Sequence, residues 1–144
     1  MTGDGRRSKA VATWLAVAGG SLGLHRFYLR GAGDAWAWLH LPPTLIGAYG
    51  FWRMREWGVD DARGALLVPL LGAMLAGTML VAIVYGLTSD ERWAARHGGD
   101  PHRSRATWLT LVAVALALAT GASIAIATIA FTAQRYFEAR SDAG

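Results

Sequence analysis

The chain has 144 residues, of which 53% are hydrophobic and only 17% are charged, a balance that is unusual for a water-soluble domain of this size. The sequence contains no cysteine, which excludes disulfide bonds, thiolate metal sites and thiol nucleophiles. The formal net charge is +4, but thirteen of the fourteen basic residues are arginines that stand beside apolar segments. This placement suits anionic lipid headgroups better than nucleic acid. We therefore expect a membrane protein that does not bind nucleic acid.

Four apolar segments follow one another along the chain. The first covers residues 10–24, or 10–29 if the sequence HRFY continues the helix, and the second covers residues 35–52. The third (65–87) and the fourth (106–134) contain no Asp, Glu, Lys, Arg or His. About 20 apolar residues in a helix cross the hydrocarbon layer of a bilayer, so these two are long enough to span it. The segments do not show the alternating polarity of membrane strands, which favours helices.

The predicted fold is therefore all-α, an integral membrane helical bundle of about four transmembrane helices in which the first two form a tight hairpin. The predicted segments are a polar basic tail (1–9), the hairpin (10–56), a third transmembrane helix (64–88), a polar loop (89–105), a fourth transmembrane helix (106–134) and a polar tail (135–144). Four crossings would place both termini on one side, with eight basic residues against six on the other. The positive-inside rule then favours cytoplasmic termini, in the plasma membrane or a bacterial inner membrane.

The stretch GGSLGLHRFYLRGAG, residues 19–33, joins the first two apolar segments and ends in glycines. A helix that continues to Leu29 brings His25 and Arg26 below the interface, where an arginine side chain can extend to the lipid phosphates. The aromatic rings that follow would anchor the same depth, and Asp34 is a suitable N-cap for the next helix. We expect the residues of this turn to contact anionic headgroups or a carboxylate of a membrane-protein partner. They are His25, Arg26, Phe27, Tyr28 and Arg30.

Small residues predict how the helices pack. Gly19 and Gly23 form a G-x-x-x-G face that allows another helix to approach closely, and Gly47 with Gly50 would supply the matching surface. Such a face serves packing within one chain or a homo-oligomer, and the sequence does not distinguish them.

A second candidate site lies inside the second apolar segment. His40 precedes Pro42 and Pro43, and two prolines remove two backbone donors and kink or break a helix. Backbone carbonyls freed beside a histidine form a possible polar site within the membrane, which is a functional hypothesis for any intramembrane ionisable residue. The simpler interpretation is a kink whose backbone groups bond to neighbouring helices.

Residues 7–56 resemble the TM2 domain family. The similarity rests on Gly19, Gly20, Gly23 and the string His25-Arg26-Phe27-Tyr28-Leu29, followed by Gly50 and Trp52. The sequence departs from the family pattern where Arg30 replaces the usual glycine, and where Arg53 and Arg55 come before the acidic Glu56. The resemblance implies a small membrane protein with a helical hairpin, and it implies no established activity.

Signatures of hydrolases, metalloproteases and nucleotide-binding proteins do not occur in the sequence. We therefore expect no enzymatic activity, no metal and no cofactor. The favoured function is an interaction or structural module in the membrane, with the lipid bilayer, a membrane protein or a second copy as partner. The alternative is a small transporter or channel whose path passes near His40 and the Pro42-Pro43 break.

Overall fold

The protein is helical throughout the residues that its computed structural model describes, which are 7–98 and 107–141. Within these ranges seven α-helices and one 3-10 turn follow one another without a strand. The helices are α1 (Lys9–Gly19), α2 (Leu24–Arg30), α3 (Ala35–Trp38), α4 (Leu41–Trp57), α5 (Ala62–Leu87), α6 (Asp90–His97) and α7 (Trp108–Ser141), and the 3-10 turn (Gly20–Leu22) lies between α1 and α2. The all-α prediction is confirmed.

Two of the described helices, α5 with 26 residues and α7 with 34, are long and apolar enough to cross a membrane. They coincide with the third and fourth predicted segments. Only 17% and 22% of their most apolar stretches are buried inside the protein, so most residues of these stretches keep part of their surface exposed. A long helix that buries so little of its apolar surface in its own fold suits a lipid environment.

The prediction of four transmembrane helices is not confirmed, because each of the first two apolar segments is divided. The first stops at Gly19, passes through the 3-10 turn and restarts as α2 after Gly23, which adopts a left-handed conformation with φ of 78°. The second is divided at Leu39 and His40 into α3 and α4. The sequence HRFY is thus helical, but in a helix of its own.

Helix α5 is the centre of the fold, since α1, α4 and α7 all pack against it. Its carboxyl half forms an apolar core with α1 and α7. The residues of this core are Ala16, Met79, Ala82 and Ala117. Its amino half packs against α4, where Gly47 faces Leu71 and Gly50 faces Leu67.

The structure does not confirm the expected tight hairpin between the first two apolar segments. Helices α1 and α4 lie on different halves of α5 and have little direct contact. The hairpin that does form is between α1 and α2, and it folds within the first predicted segment. The hydroxyl of Tyr28 accepts a hydrogen bond from the backbone N–H of Ser8 at 2.9 Å, and Leu29 packs with Ala12 and Trp93. The end of α2 therefore returns to the start of α1.

Two further differences concern the polar segments. The predicted loop 89–105 contains α6, whose Trp93 and Ala94 are buried while Glu91 and Arg92 are exposed. Helix α7 does not end before the predicted polar tail but continues to Ser141. Residues 99–105 of the first of these segments and 142–144 of the second lie outside the described ranges.

Candidate functional site

Helix α2 carries the HRFYL sequence and is bounded by two glycines with positive φ, Gly23 before it and Gly31 after it. The helix buries His25 and Leu29 on one face. Arg26, Phe27 and Tyr28 are partly exposed, and Arg30 is exposed. Four of the five predicted contact residues therefore reach the surface, and His25 does not.

Arg26 forms an ion pair with Asp34 across the turn that follows α2. The Nε–H of Arg26 donates to Oδ2 of Asp34 at 2.9 Å, and the other oxygen of Asp34 accepts from the backbone N–H of Trp36 at 3.2 Å. Asp34 is thus the N-cap of α3, as its position in the sequence predicts. The hydrogen bond from Arg26 is the largest cause that lowers the pKa of the Asp34 carboxyl, although burial opposes it.

The ion pair leaves part of Arg26 accessible. Its Nε is the atom that bonds to Asp34, and 23% of its side chain is exposed. The aromatic ring of the next residue, Phe27, packs edge to face on Trp38 at 5.1 Å between ring centroids. Arginine and aromatic groups are thereby held at one corner of the fold.

His25 and His40, which the sequence assigns to separate sites, are neighbours. Their ring centroids lie 5.6 Å apart, and the ring of Tyr85 on α5 lies 5.8 Å from that of His25. His25 is only 1% exposed, and within the described residues its Nδ1 has no hydrogen-bond partner. The Nδ1 of His40 is 2.6 Å from the carbonyl oxygen of Trp36. Buried polar atoms are usually paired, so His25 is the feature of this site that its packing alone does not explain.

Pro42 and Pro43 lie in the first turn of α4, immediately after the break at His40. The first turn of a helix lacks intrahelical acceptors for its N–H groups, so the missing proline donors cost little there. The two prolines therefore begin a helix and do not distort one. The predicted break is present, but the carbonyl of Trp36 is taken by His40.

The four predicted packing glycines do not face one another. Gly47 and Gly50 allow α4 to approach the backbone of α5, where an added Cβ would collide with Leu71 or Leu67. Gly19 is covered by Leu24, its neighbour across the 3-10 turn. A Cβ on Gly23 would lie 2.5 Å from the carbonyl oxygen of Ala37. The G-x-x-x-G pair thus shapes the turn of the α1–α2 hairpin and does not form a helix-packing face.

The sequence analysis missed a second ion pair, between Arg53 at the end of α4 and Asp61 at the start of α5. Nε and Nη2 of Arg53 donate to both oxygens of Asp61 at 2.7 and 2.8 Å, and Asp61 also accepts from the N–H of Gly64 at 2.6 Å. The hydrogen bonds from Arg53 lower the pKa of Asp61 to about 2. A signal for this pair exists in the sequence, because R-x4-G-x2-D occurs at residues 26–34 and again at residues 53–61.

A third set of polar contacts fixes the start of α1. The Nζ of Lys9 donates to the carbonyl oxygen of Thr88 at 3.0 Å and pairs with Asp90, so this lysine is only 3% exposed. The indole N–H of Trp93 donates to the carbonyl oxygen of Arg7 at 2.9 Å. These contacts hold the amino end of α1 against the end of α5 and the start of α6.

A cleft of about 1140 Å³ lies at the opposite end of the molecule, between the start of α5 and the last turns of α7. Leu66, Pro69 and Phe137 line it together with Arg135. None of the residues that the sequence analysis assigned to a site lines this cleft. In residues 7–98 and 107–141 no group of three or more His, Asp or Glu side chains is arranged to hold a metal ion.

In the residues that the structure describes, the all-helical fold with two long apolar helices is compatible with an α-helical membrane protein. Residues 5–57 match the family model of the TM2 domain, in agreement with the resemblance of residues 7–56. The match ends at the last residue of α4, and α5 to α7 lie beyond it. No curated protein and no solved structure matches the chain.

Proposed function

We propose that the chain is a multi-pass, non-enzymatic membrane protein whose TM2 domain is an interaction module for anionic lipid headgroups. The contact site is the corner formed by residues 26–34, which we call the first corner. Arg26 and Arg30 bind the phosphate, and Phe27 and Tyr28 set the depth of the corner in the interface.

The observation that carries this proposal is the incomplete pairing of Arg26. Its bond to Asp34 uses Nε, and 23% of the side chain remains exposed beside the exposed Arg30. Arg53, in contrast, gives two donors to Asp61 and keeps only 11% of its side chain exposed. Two arginines that keep free donors among the described residues attract phosphate groups at an interface, at about 1 kcal/mol for each.

Lipid titration monitored by native mass spectrometry tests the proposal on the full chain. Delipidated protein is titrated with phosphatidylglycerol and, separately, with phosphatidylcholine. We expect preferential binding of phosphatidylglycerol, weakened about fivefold by either Arg26→Ala or Arg30→Ala, since each removes one arginine contact. Arg55→Ala is the matched control, because Arg55 is also exposed but lies beyond the first corner. Equal losses in all three variants, or no loss in any, would contradict the proposal.

The buried and unpartnered Nδ1 of His25 beside His40 favours a second candidate function, a proton path through the helix break. Reconstitution into liposomes with a pH-sensitive dye measures proton flux under an imposed gradient. Flux that His40→Ala abolishes, and that His97→Ala on α6 leaves unchanged, would support this candidate. Absence of flux from the wild-type protein would exclude it and leave the interaction module.

A further inference from the structure

The position of each other element can be measured along the axis of helix α5, because α1, α4 and α7 all pack against it. Its 26 residues extend over about 39 Å at 1.5 Å per residue. At the start of α1, Lys9 bonds to Thr88, just beyond the carboxyl end of α5. At the other end of α1, Gly20 lies against Thr78. The ten residues between these two contacts on α5 correspond to about 15 Å, so α1 and its 3-10 turn reach less than half the length of α5.

Helix α2 then returns to the same end. Its Tyr28 contacts Ser8, and its Leu29 packs against Ala12 and Trp93, two residues near the Lys9–Thr88 contact. The amino end of α1 and the HRFY sequence are therefore neighbours at the carboxyl end of α5.

The crossing from this end to the other is made by α3 and α4 together. His40 lies next to His25, whose ring contacts Tyr85 near the carboxyl end of α5, whereas Met54 faces Gly64 at its amino end. Helices α3 and α4 have 4 and 17 residues, which correspond together to about 31 Å of helix, enough to cross the hydrocarbon layer. Helix α7 runs along the whole of α5, from Val114 at Gly86 to Arg135 at Val59.

We propose that residues 9–30 form a re-entrant hairpin, which enters the bilayer to about half its depth and returns to the side from which it came. The chain then crosses the membrane three times, by α3–α4, α5 and α7. The amino terminus, the first corner and α6 share the cytoplasmic side, and the carboxyl terminus lies on the other side. The proposed lipid site thereby belongs to the inner leaflet. This inference rests on the proposed function only in requiring that the chain is embedded in a bilayer.

The distribution of basic residues favours this topology over four crossings. Nine of the fourteen Lys and Arg residues precede α3 or fall between α5 and α7, and five fall elsewhere. With four crossings the division is eight against six. The nine residues on the cytoplasmic side are Arg6, Arg7, Lys9, Arg26, Arg30, Arg92, Arg96, Arg103 and Arg105. The larger difference agrees better with the positive-inside rule.

The tip of the hairpin also fits a position inside the bilayer. Irregular backbone at membrane depth is tolerated only where protein groups satisfy it. The carbonyl of Ser21 in the tip accepts a hydrogen bond from the hydroxyl of Thr44 at 2.6 Å, and the N–H of Gly23 bonds to the carbonyl of Gly20 at 2.8 Å. Gly20 and Gly23 press against Thr78 and Ala37, so the tip is covered by α5 and α3.

Single-cysteine labelling tests the topology, since the wild-type chain contains no cysteine. The probes are Thr2→Cys ahead of α1, Gly33→Cys in the first corner, Val59→Cys between α4 and α5, and Ala139→Cys near the end of α7. The side chain of Val59 is 63% exposed, and a Cβ on Gly33 meets nothing within 4 Å. With a membrane-impermeant maleimide on intact cells, we expect labelling of Val59→Cys and Ala139→Cys. Thr2→Cys and Gly33→Cys should label only after the cells are opened.

Each other outcome has a distinct meaning. Opposite behaviour of Thr2→Cys and Gly33→Cys would overturn the hairpin, because four crossings place these two positions on different sides. The reversed pattern, with Thr2 and Gly33 outside, would overturn the cytoplasmic assignment. If all four positions react alike, α3–α4 does not cross the membrane and the topology of three crossings fails. The lipid titration then decides separately whether the proposed function holds.

A crosslinking experiment provides a second measurement that does not depend on sidedness. In the double variant Ser8→Cys with Tyr28→Cys, a short bifunctional maleimide should join the two cysteines within one chain, as detected by mass spectrometry of the linked peptide. The control pair Ser8→Cys with Val59→Cys should give no link, since these positions lie at opposite ends of α5. A missing link in the first pair would contradict the hairpin even if the labelling pattern were as expected.

Discussion

Two corners of this molecule follow the same sequence pattern and the same backbone path, but they are used differently. In the first corner the N–H of Gly31 bonds to Phe27, and the N–H of Asp34 bonds to Gly31. In the second corner, residues 53–61, the corresponding bonds run from Gly58 to Met54 and from Asp61 to Gly58. Each pattern R-x4-G-x2-D thus ends one helix on a glycine and begins the next on an aspartate that pairs with the arginine.

The difference lies in how fully the arginine is bound. Arg53 donates hydrogen bonds from two nitrogens to both oxygens of Asp61, and its guanidinium lies 4.3 Å from the ring centroid of Trp57. Arg26, in contrast, donates one hydrogen bond to Asp34. The second corner joins α4 to the 26-residue helix α5, and the first corner leads only into the four-residue helix α3. A fully bound arginine fixes two long helices, and a partly bound one keeps donors for an external phosphate.

The largest expected effect on stability comes from variants that remove the negative charge of the aspartate in each corner and retain its size. Asn caps a helix about as well as Asp, so Asp61→Asn and Asp34→Asn retain the caps and remove the ion pairs. In detergent, we expect Asp61→Asn to lower the melting temperature by roughly 5 °C or more, and Asp34→Asn by about half as much, because Arg53 loses two charge-assisted bonds and Arg26 one. Asp60→Asn is the control, since its side chain is 96% exposed. Equal losses at the two corners would remove the distinction between them.

Substitution of Gly31 and Gly58 tests whether the turns of the two corners have the same backbone conformation. Gly31 has φ of 81° with ψ of 179°, and Gly58 has φ of 95° with ψ of 165°, a region that is accessible essentially only to glycine. A Cβ meets nothing within 4 Å at either position, so the cost of alanine is conformational alone. We expect Gly31→Ala and Gly58→Ala each to lower the free energy of unfolding by about 1–3 kcal/mol. Denaturant unfolding in mixed micelles measures this difference.

Gly33→Ala is the matched control for this pair, because Gly33 lies in the same open turn without a positive φ. Its free energy of unfolding should change by less than about 0.5 kcal/mol. A large loss at one corner only would mean that the two turns do not share a conformation in the membrane.

The features of the fold that could be predicted from the sequence are those that depend on residues close to one another in the chain. The uncharged runs that became α5 and α7 were predicted, as were the reversal after Arg30 and the cap at Asp34, because length, glycine and a capping side chain act within a few residues. The direction of α2 was not predicted. An apolar segment of about fifteen residues has the same composition whether it crosses a bilayer or turns back. The turn depends on the left-handed conformation of Gly23 and on its contact with Ala37, and composition indicates neither.

The arrangement of the candidate site also depends on contacts between residues that are distant in the sequence, so it was not predicted. His25 and His40 were assigned to separate sites because a crossing helix would have kept them apart, and the return of α2 brings their rings to 5.6 Å. The second corner was not predicted, although the repeated R-x4-G-x2-D is present in the sequence. The family pattern leads one to expect an acidic residue soon after Trp52, and Glu56 does not match it well. Asp61 becomes adjacent to Arg53 only after the chain has turned.

The smallest expected effect concerns the shape of the arginine. Lysine retains the charge but offers a single ammonium in place of a planar fork, so Arg→Lys is most damaging where both arms of the fork are used. We expect Arg53→Lys to lower the melting temperature by roughly 2–4 °C, and Arg26→Lys to change it by less than about 1 °C, since Arg26 bonds to Asp34 through Nε. Tryptophan fluorescence during heating measures both variants.

Arg26→Lys also allows the melting temperature to be compared with the binding of lipid. A lysine still attracts a lipid phosphate as a point charge, so Arg26→Lys should retain most of the binding of phosphatidylglycerol that Arg26→Ala loses. If Arg26→Lys were instead as unstable as Arg53→Lys, Arg26 would be bound as fully as its counterpart. The first corner would then hold the fold together as the second does, with no donor left for a headgroup.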